Sequence, residues 1–95
     1  MTTRQGARYT VELYDYAYQM LTDNEMVSAL CGRALKTAKH AGESVELSLT
    51  LHELEELTGA VAAESNHARS RRKQEELGAI CDYLEGCVGA IKRQY

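Results

Sequence analysis

The chain has 95 residues and a formal net charge of −3. A chain of this length forms one small domain with a modest core, so residues 1–95 are expected to be a single unit with residues 1–7 as a flexible tail. The acidic balance argues against a dedicated nucleic-acid-binding protein, whose surface is usually strongly basic. Hydrophobic residues make up 44% of the chain, yet no apolar run reaches the length of a membrane span.

The N-terminal sequence and the cysteines both indicate a cytoplasmic protein. The first ten residues, MTTRQGARYT, lack the apolar segment of a signal peptide. The three cysteines, Cys31, Cys81 and Cys87, form no CxxC motif, and an odd number of scattered thiols fits a reducing compartment. Each falls on a predicted apolar stripe, so we expect small buried hydrophobic side chains and no disulfide.

The chain begins with a segment that alternates between apolar and polar residues. Residues 8–14, RYTVELY, place Tyr9, Val11 and Leu13 on one face, which predicts a half-buried strand. The next residues, 15–21, are ambiguous between a short helical turn and an extension of the strand.

A helix is predicted over residues 23–41. Thr22 and Glu25 have the spacing of a capping box, and Gly42 is a plausible helix stop. The apolar residues of this segment repeat at helical spacing and are expected to form one buried stripe: Met26, Val27, Leu30, Cys31, Ala34, Leu35, Ala38 and Ala41.

A second strand and a second helix follow. Residues 44–49, SVELSL, alternate as residues 8–14 do, which predicts a second strand. The pattern is compatible with pairing of the two strands within one chain and with pairing across a dimer. Thr50 and Glu53 form another capping box, and the apolar residues after it predict a helix over residues 51–67.

A third helix is predicted over residues 70–92. Leu77, Cys81, Leu84, Val88 and Ile91 are spaced as a heptad seam. A turn near residues 66–70 is expected to separate this helix from the preceding one, and a continuous helix through residues 62–75 is the alternative. The sequence therefore predicts an α+β fold that is predominantly α-helical, with two short strands and three main helices.

Glu64 and His67 are the candidate metal ligands. They lie three residues apart, and Glu-x-x-His is a spacing that di-iron helical bundles use. Such a site needs further carboxylates, which a symmetric dimer could supply. The simpler interpretation is a polar corner between two helices, and no cofactor is expected.

The basic residues Arg69, Arg71, Arg72 and Lys73 are the candidate phosphate contacts. Four cations in five residues could bind nucleic acid weakly. However, Glu75 and Glu76 follow one helical turn later and can pair with Arg71 and Arg72.

Two further features favour binding to a protein partner. The cluster of Tyr14, Tyr16 and Tyr18 has the residue type that interfaces favour, although these rings could also be the core aromatics of a chain that has no Phe or Trp. Asp82, Gly86 and Gly89 lie on the third predicted helix away from its heptad seam, where another backbone could approach.

These observations predict a non-catalytic interaction or regulatory module that engages a protein partner. An unpaired strand edge and the heptad seam both invite a second copy, so a homodimer is expected. The alternatives are a dimeric metal-binding helical bundle and weak nucleic-acid binding through residues 69–73. A small acidic chain of this kind would also suit a phage or mobile-element inhibitor protein.

Overall fold

The computed structural model describes residues 7–93, which form four helices and a three-stranded sheet. This confirms the predicted α+β, predominantly helical fold class. The predicted tail over residues 1–7 lies outside the described residues except for Ala7. No helix within residues 7–93 combines the length and the apolar character needed to cross a membrane. In chain order, the elements are β1 (Tyr9–Tyr14), α1 (Asp15–Asp23), α2 (Glu25–Leu35), β2 (Lys39–Ala41), β3 (Ser44–Leu49), α3 (Leu51–His67) and α4 (Arg71–Lys92).

The two predicted strands are confirmed, and they pair within one chain. β1 and β3 are antiparallel, with Tyr9 opposite Leu49 and Tyr14 opposite Ser44. Because side chains alternate across a strand, one face of the sheet carries buried apolar residues against the helices and the other carries polar residues such as Glu12 and Glu46. The buried set is Val11, Leu13, Val45, Leu47 and Leu49.

The predicted helix over residues 23–41 is wrong at its C-terminal end, because α2 stops at Leu35. Residues 39–41 instead form the edge strand β2, which pairs with β3 through a two-residue loop, Gly42–Glu43. Gly42 has φ +64°, and a positive φ at the first loop residue is what a type II′ hairpin requires. The glycine that resembled a helix stop is therefore a hairpin residue.

The buried stripe predicted for this helix is also partly wrong. Met26 and Leu30 are 52% and 63% exposed, whereas Val27 and Cys31 are buried. α2 packs on α3 through the side that carries Val27 and Cys31, and its backbone departs from helical geometry at Cys31 (φ −122°, ψ 20°). This geometry leaves Met26 and Leu30 on the outer side of the helix.

Of the two predicted capping boxes, one is confirmed and one is wrong. At Thr50, the side-chain oxygen accepts from the Glu53 amide at 3.1 Å, and Glu53 Oε1 accepts from the Thr50 amide at 2.9 Å. At the start of α2, however, the cap is Asn24, whose side chain accepts from the Val27 amide at 2.9 Å. Thr22 lies within α1, because the ambiguous residues 15–21 are helical.

α3 and α4 form an antiparallel helical hairpin, which confirms the predicted break between two helices. α3 ends at His67, Ala68 is extended, and Ser70 caps α4 by accepting from the Lys73 amide at 3.0 Å. The predicted heptad seam of α4 lies in the core beside α3, with Leu84 fully buried and Val88 partly buried. The apolar repeat therefore stabilises the hairpin inside one chain.

Candidate partner-binding site

An open groove of about 410 Å³ lies where the β1–α1 junction faces α4. We call it the tyrosine groove. Its floor is formed by three apolar residues that are at most 7% exposed, Leu13, Ala17 and Ile80. The full lining is Glu12, Leu13, Tyr14, Tyr16, Ala17, Ser44, Ala79, Ile80 and Tyr83.

Three tyrosines stand at this groove with much of their surface in solvent. Tyr14, Tyr16 and Tyr83 are 73%, 59% and 46% exposed. The chain passes directly from strand to helix at Tyr14, and the Asp15 amide donates to the Glu43 carbonyl oxygen at 2.8 Å, which fixes the junction against the hairpin loop. Three exposed aromatic rings over an apolar floor form a surface that can bury a partner side chain.

Tyr83 joins α4 to the edge of the sheet. Its hydroxyl donates to the Glu12 carbonyl oxygen at 2.6 Å. In an antiparallel strand, both backbone polar groups of a residue point to the same side, so this bond shows that Glu12 directs them away from β3. Partial burial, followed by the neighbouring Cys87 and Glu12, raises the pKa of the Tyr83 phenol above its ordinary value. The hydroxyl occupies an acceptor that an added strand would need.

The charged residues named at the groove are acidic. Glu12 is the only charged residue in its lining, and the exposed Asp82 lies next to Tyr83 on α4. Glu12 also lies directly opposite Glu46 on the polar face of the sheet, a like-charge pair that disfavours further negative charge. The lining therefore favours a ligand that combines apolar surface with positive charge.

The structure separates the three tyrosines predicted from sequence. Tyr14 and Tyr16 line the groove, but Tyr18 does not. Its hydroxyl donates to the Leu35 carbonyl oxygen at 3.1 Å, and its ring meets the His40 ring edge-on at 5.5 Å. Because residues 15–23 are helical, successive side chains turn away from one another, and Tyr18 packs partly buried toward α2 and β2.

The predicted residues of the third helix are not part of the groove lining. Asp82 and Gly86 are exposed on α4, and a side chain at Gly86 would meet open space. Gly89 is half-buried in a separate shallow cleft against Gly59 of α3. The sequence reasoning missed Tyr83, although an aromatic residue off the heptad seam of a helix was the available signal.

Glu64 and His67 lie near the end of α3 in different surroundings. Glu64 accepts a hydrogen bond from the Asn24 amide group at 3.1 Å, which connects α3 to the start of α2, whereas His67 is exposed. Within residues 7–93, no cluster of three or more His, Cys, Asp or Glu side chains is placed to hold a metal ion. Metal binding by this pair stays a prediction from sequence.

The basic corner is exposed and partly paired. Arg71 lies 3.5 Å from Glu75, and Arg72 lies 3.6 Å from Glu76, as the spacing predicted. Exposed pairs one helical turn apart contribute only about 0.3–0.5 kcal/mol each. Arg69 and Lys73 are exposed beside them, so phosphate binding here also stays a prediction.

Neither protein-family models, nor curated proteins, nor solved structures gave a match to this chain.

Proposed function

We propose that this protein is a non-catalytic interaction module that binds a protein partner in the tyrosine groove. The observation that carries the proposal is the position of Tyr14, Tyr16 and Tyr83, three large side chains left exposed around a buried apolar floor. Exposed apolar surface of this kind costs solubility unless a partner covers it. Tyrosine combines apolar area with a hydroxyl group, and it is enriched at protein interfaces for that reason.

The chemistry of the lining supports binding more than catalysis. It offers one carboxylate, that of Glu12, the hydroxyl of Ser44 and three phenol groups, which are suited to van der Waals contact and hydrogen bonding. A nucleophile activated by an adjacent base needs a different set, such as a Cys or Ser beside a His, and the lining contains no His and no Cys.

The partner segment that fits is a peptide with an apolar or aromatic anchor next to Lys or Arg. The anchor would contact Leu13, Ala17 and Ile80 on the floor, and the cation would lie near Glu12 or over a tyrosine ring. Because Tyr83 occupies the Glu12 carbonyl oxygen, the peptide is held mainly by side-chain contacts and not as a fourth strand.

Peptide selection followed by direct affinity measurement tests this function. Random peptides displayed on phage are selected on the purified protein, and the best binder is labelled for fluorescence anisotropy. We expect the selected peptides to be enriched in aromatic and basic residues. The Tyr14→Ser/Tyr16→Ser variant is expected to weaken binding by at least about tenfold, since aromatic anchors commonly dominate interface energetics.

Two further variants separate groove binding from loss of folding. Ala79→Arg adds a long side chain at an exposed position of the lining, so it is expected to block binding without removing a packing contact. Tyr18→Phe alters a tyrosine outside the groove and is expected to leave affinity unchanged. Equal affinity of wild type, Ala79→Arg and the double Ser variant for every selected peptide would refute the groove as the binding site.

We also propose that the module is a homodimer, as the unpaired strand edge and the heptad spacing led us to expect. A dimer would present two tyrosine grooves to one partner or to two partners and would raise the overall affinity through multivalency.

A further inference from the structure

The outer side of α2 carries an apolar pair that is largely exposed within residues 7–93. Met26 and Leu30 are one helical turn apart, and they are 52% and 63% exposed. They are the large aliphatic side chains that are exposed within the described part of the chain, where the other large exposed hydrophobic residues are tyrosines of the groove. Aliphatic side chains placed side by side on a helix surface form a contact surface for another helix.

Charged residues of opposite sign flank this pair at the two ends of α2. Asp23, the last residue of α1, and Glu25 lie beside its N-terminal end, and Arg33 and the C-cap residue Lys36 lie at its C-terminal end; all four are exposed. Within residues 7–93, none of the four takes part in an ion pair. Charges in this order also complement the helix dipole, but each such interaction is small and leaves the charge open to a partner.

A second copy of α2, packed antiparallel, complements this surface. A two-fold axis near the middle of the helix brings Met26 of each copy toward Leu30 of the other. The same rotation brings the acidic end of each helix to the basic end of its partner. An interface between identical surfaces requires this kind of self-complementarity, because each residue must be met by the partner's equivalent of its own neighbours.

The two surfaces from which the sequence predicted a dimer, the heptad seam of α4 and a strand edge, make contacts within the chain. The heptad seam of α4 is packed within its own chain, so it is not available to a second chain. On the edge strand β1, the Tyr83 hydroxyl occupies the Glu12 carbonyl oxygen. The opposite edge strand, β2, has three residues, and short charged edges resist strand addition.

We infer that two copies of this chain associate through antiparallel packing of their α2 helices. The inference deepens the homodimer part of the proposed function and is independent of peptide binding in the tyrosine groove. Because α2 has 11 residues and is only about 16 Å long, the buried area is below that of a standard interface. The dimer is therefore weak, with a dissociation constant on the order of 100 µM at moderate salt.

Charge reversal at the two ends of α2 tests the arrangement. Sedimentation equilibrium of the full chain from about 10 µM to 1 mM gives the dissociation constant over the range where it is expected. Asp23→Lys/Glu25→Lys places basic residues at both ends, and Arg33→Glu/Lys36→Glu places acidic residues at both ends. Each variant alone is expected to weaken self-association by at least about tenfold through like-charge repulsion.

The decisive measurement is the mixture of these two variants. An equimolar mixture is expected to form a heterodimer, because the basic helix ends of one variant then face the acidic ends of the other. The variant with all four substitutions is expected to dimerise again with itself. Leu30→Glu, which removes the apolar centre of the contact, is expected to remain monomeric in every combination. Circular dichroism confirms that each variant is folded.

Asp82→Lys/Glu85→Lys is the matched control for Asp23→Lys/Glu25→Lys, with the same change in net charge at exposed positions of α4, and it is expected to leave the dimer intact. A wild-type chain that stays monomeric to about 1 mM would remove both the homodimer and this interface. A dimer that persists unchanged in both reversed variants would keep the homodimer and overturn the α2 interface. Failure of the mixture to associate would overturn the antiparallel arrangement.

Discussion

Replacement of Asn24 by Ala tests which residue caps α2. The Asn24 side chain accepts from the Val27 amide at 2.9 Å, and it donates to Glu64 at 3.1 Å. Loss of an N-cap costs about 1 kcal/mol, and the second hydrogen bond adds up to about 1 kcal/mol because its acceptor is a partly buried carboxylate. We therefore expect Asn24→Ala to lower the free energy of unfolding by about 1–2 kcal/mol.

Thr22→Ala is the matched comparison, because a capping box read from sequence would place the cap at Thr22. In the structure, the Thr22 hydroxyl donates to the Gln19 carbonyl oxygen at 3.0 Å at an exposed site in the last turn of α1. Loss of that bond is largely offset by hydration of the carbonyl and by the higher helix propensity of Ala, so the expected cost is below about 0.5 kcal/mol.

Urea unfolding followed by circular dichroism at 222 nm measures both variants under two-state conditions. For a domain of this size, about 1 kcal/mol corresponds to about 4–8 °C in Tm, so thermal unfolding resolves the difference as well. Asn24→Ser keeps a capping oxygen but is too short to reach Glu64, so it is expected to recover the cap contribution alone. A larger cost for Thr22→Ala than for Asn24→Ala would refute the assignment of the cap.

Three further predictions concern the hairpin, α4 and the thiols. Gly42→Ala is expected to destabilise the fold by about 1 kcal/mol, because Gly42 has a positive φ that Ala adopts at a cost. Gly86→Ala, at an exposed helical position next to open space, is expected to stabilise the fold by about 1 kcal/mol, and urea unfolding of both variants checks the opposite signs. Tyr83→Phe removes the 2.6 Å hydrogen bond to the Glu12 carbonyl oxygen, and it is expected to lower the free energy of unfolding by about 0.5–1 kcal/mol and to speed amide hydrogen exchange in β1. Unchanged exchange would contradict the role of Tyr83 at this edge. Burial, and secondarily Glu56, raises the pKa of the Cys31 thiol, so iodoacetamide is expected to modify the half-buried Cys87 well before Cys31. Because the unfolded chain loses this proton at a lower pH than the folded chain, the free energy of unfolding is expected to fall as the pH rises above the ordinary thiol value of about 9, and Cys31→Ala should reduce that fall.

The candidate site could be predicted only in part. Tyr14 and Tyr16 were identified from their clustering, and both line the groove. Tyr83, which completes it, lies 71 residues from Glu12 in sequence, and no local pattern relates two positions that far apart. Tyr18 was grouped with the others because spacing in sequence does not distinguish an exposed helical tyrosine from one that packs against a neighbouring strand.

The elements that could be predicted from the sequence are those whose causes are local. Alternation of side chains identified β1 and β3, the Thr50 capping box set the start of α3, and the heptad spacing from Leu77 to Ile91 identified the buried face of α4. Each of these signals acts between residues a few positions apart, where the backbone geometry fixes which side chains meet.

The conformation of the region from Thr22 to Gly42 and the formation of the groove depend on tertiary contacts. The apolar residues between Met26 and Ala41 fit one helical stripe, but pairing with β3 draws residues 39–41 into the sheet, and packing on α3 covers just one side of α2. Strand pairing and helix packing depend on residues distant in sequence, so they can override a local helical pattern. The same packing left Met26 and Leu30 exposed and placed α4 beside the β1–α1 junction, which created both surfaces proposed here for binding.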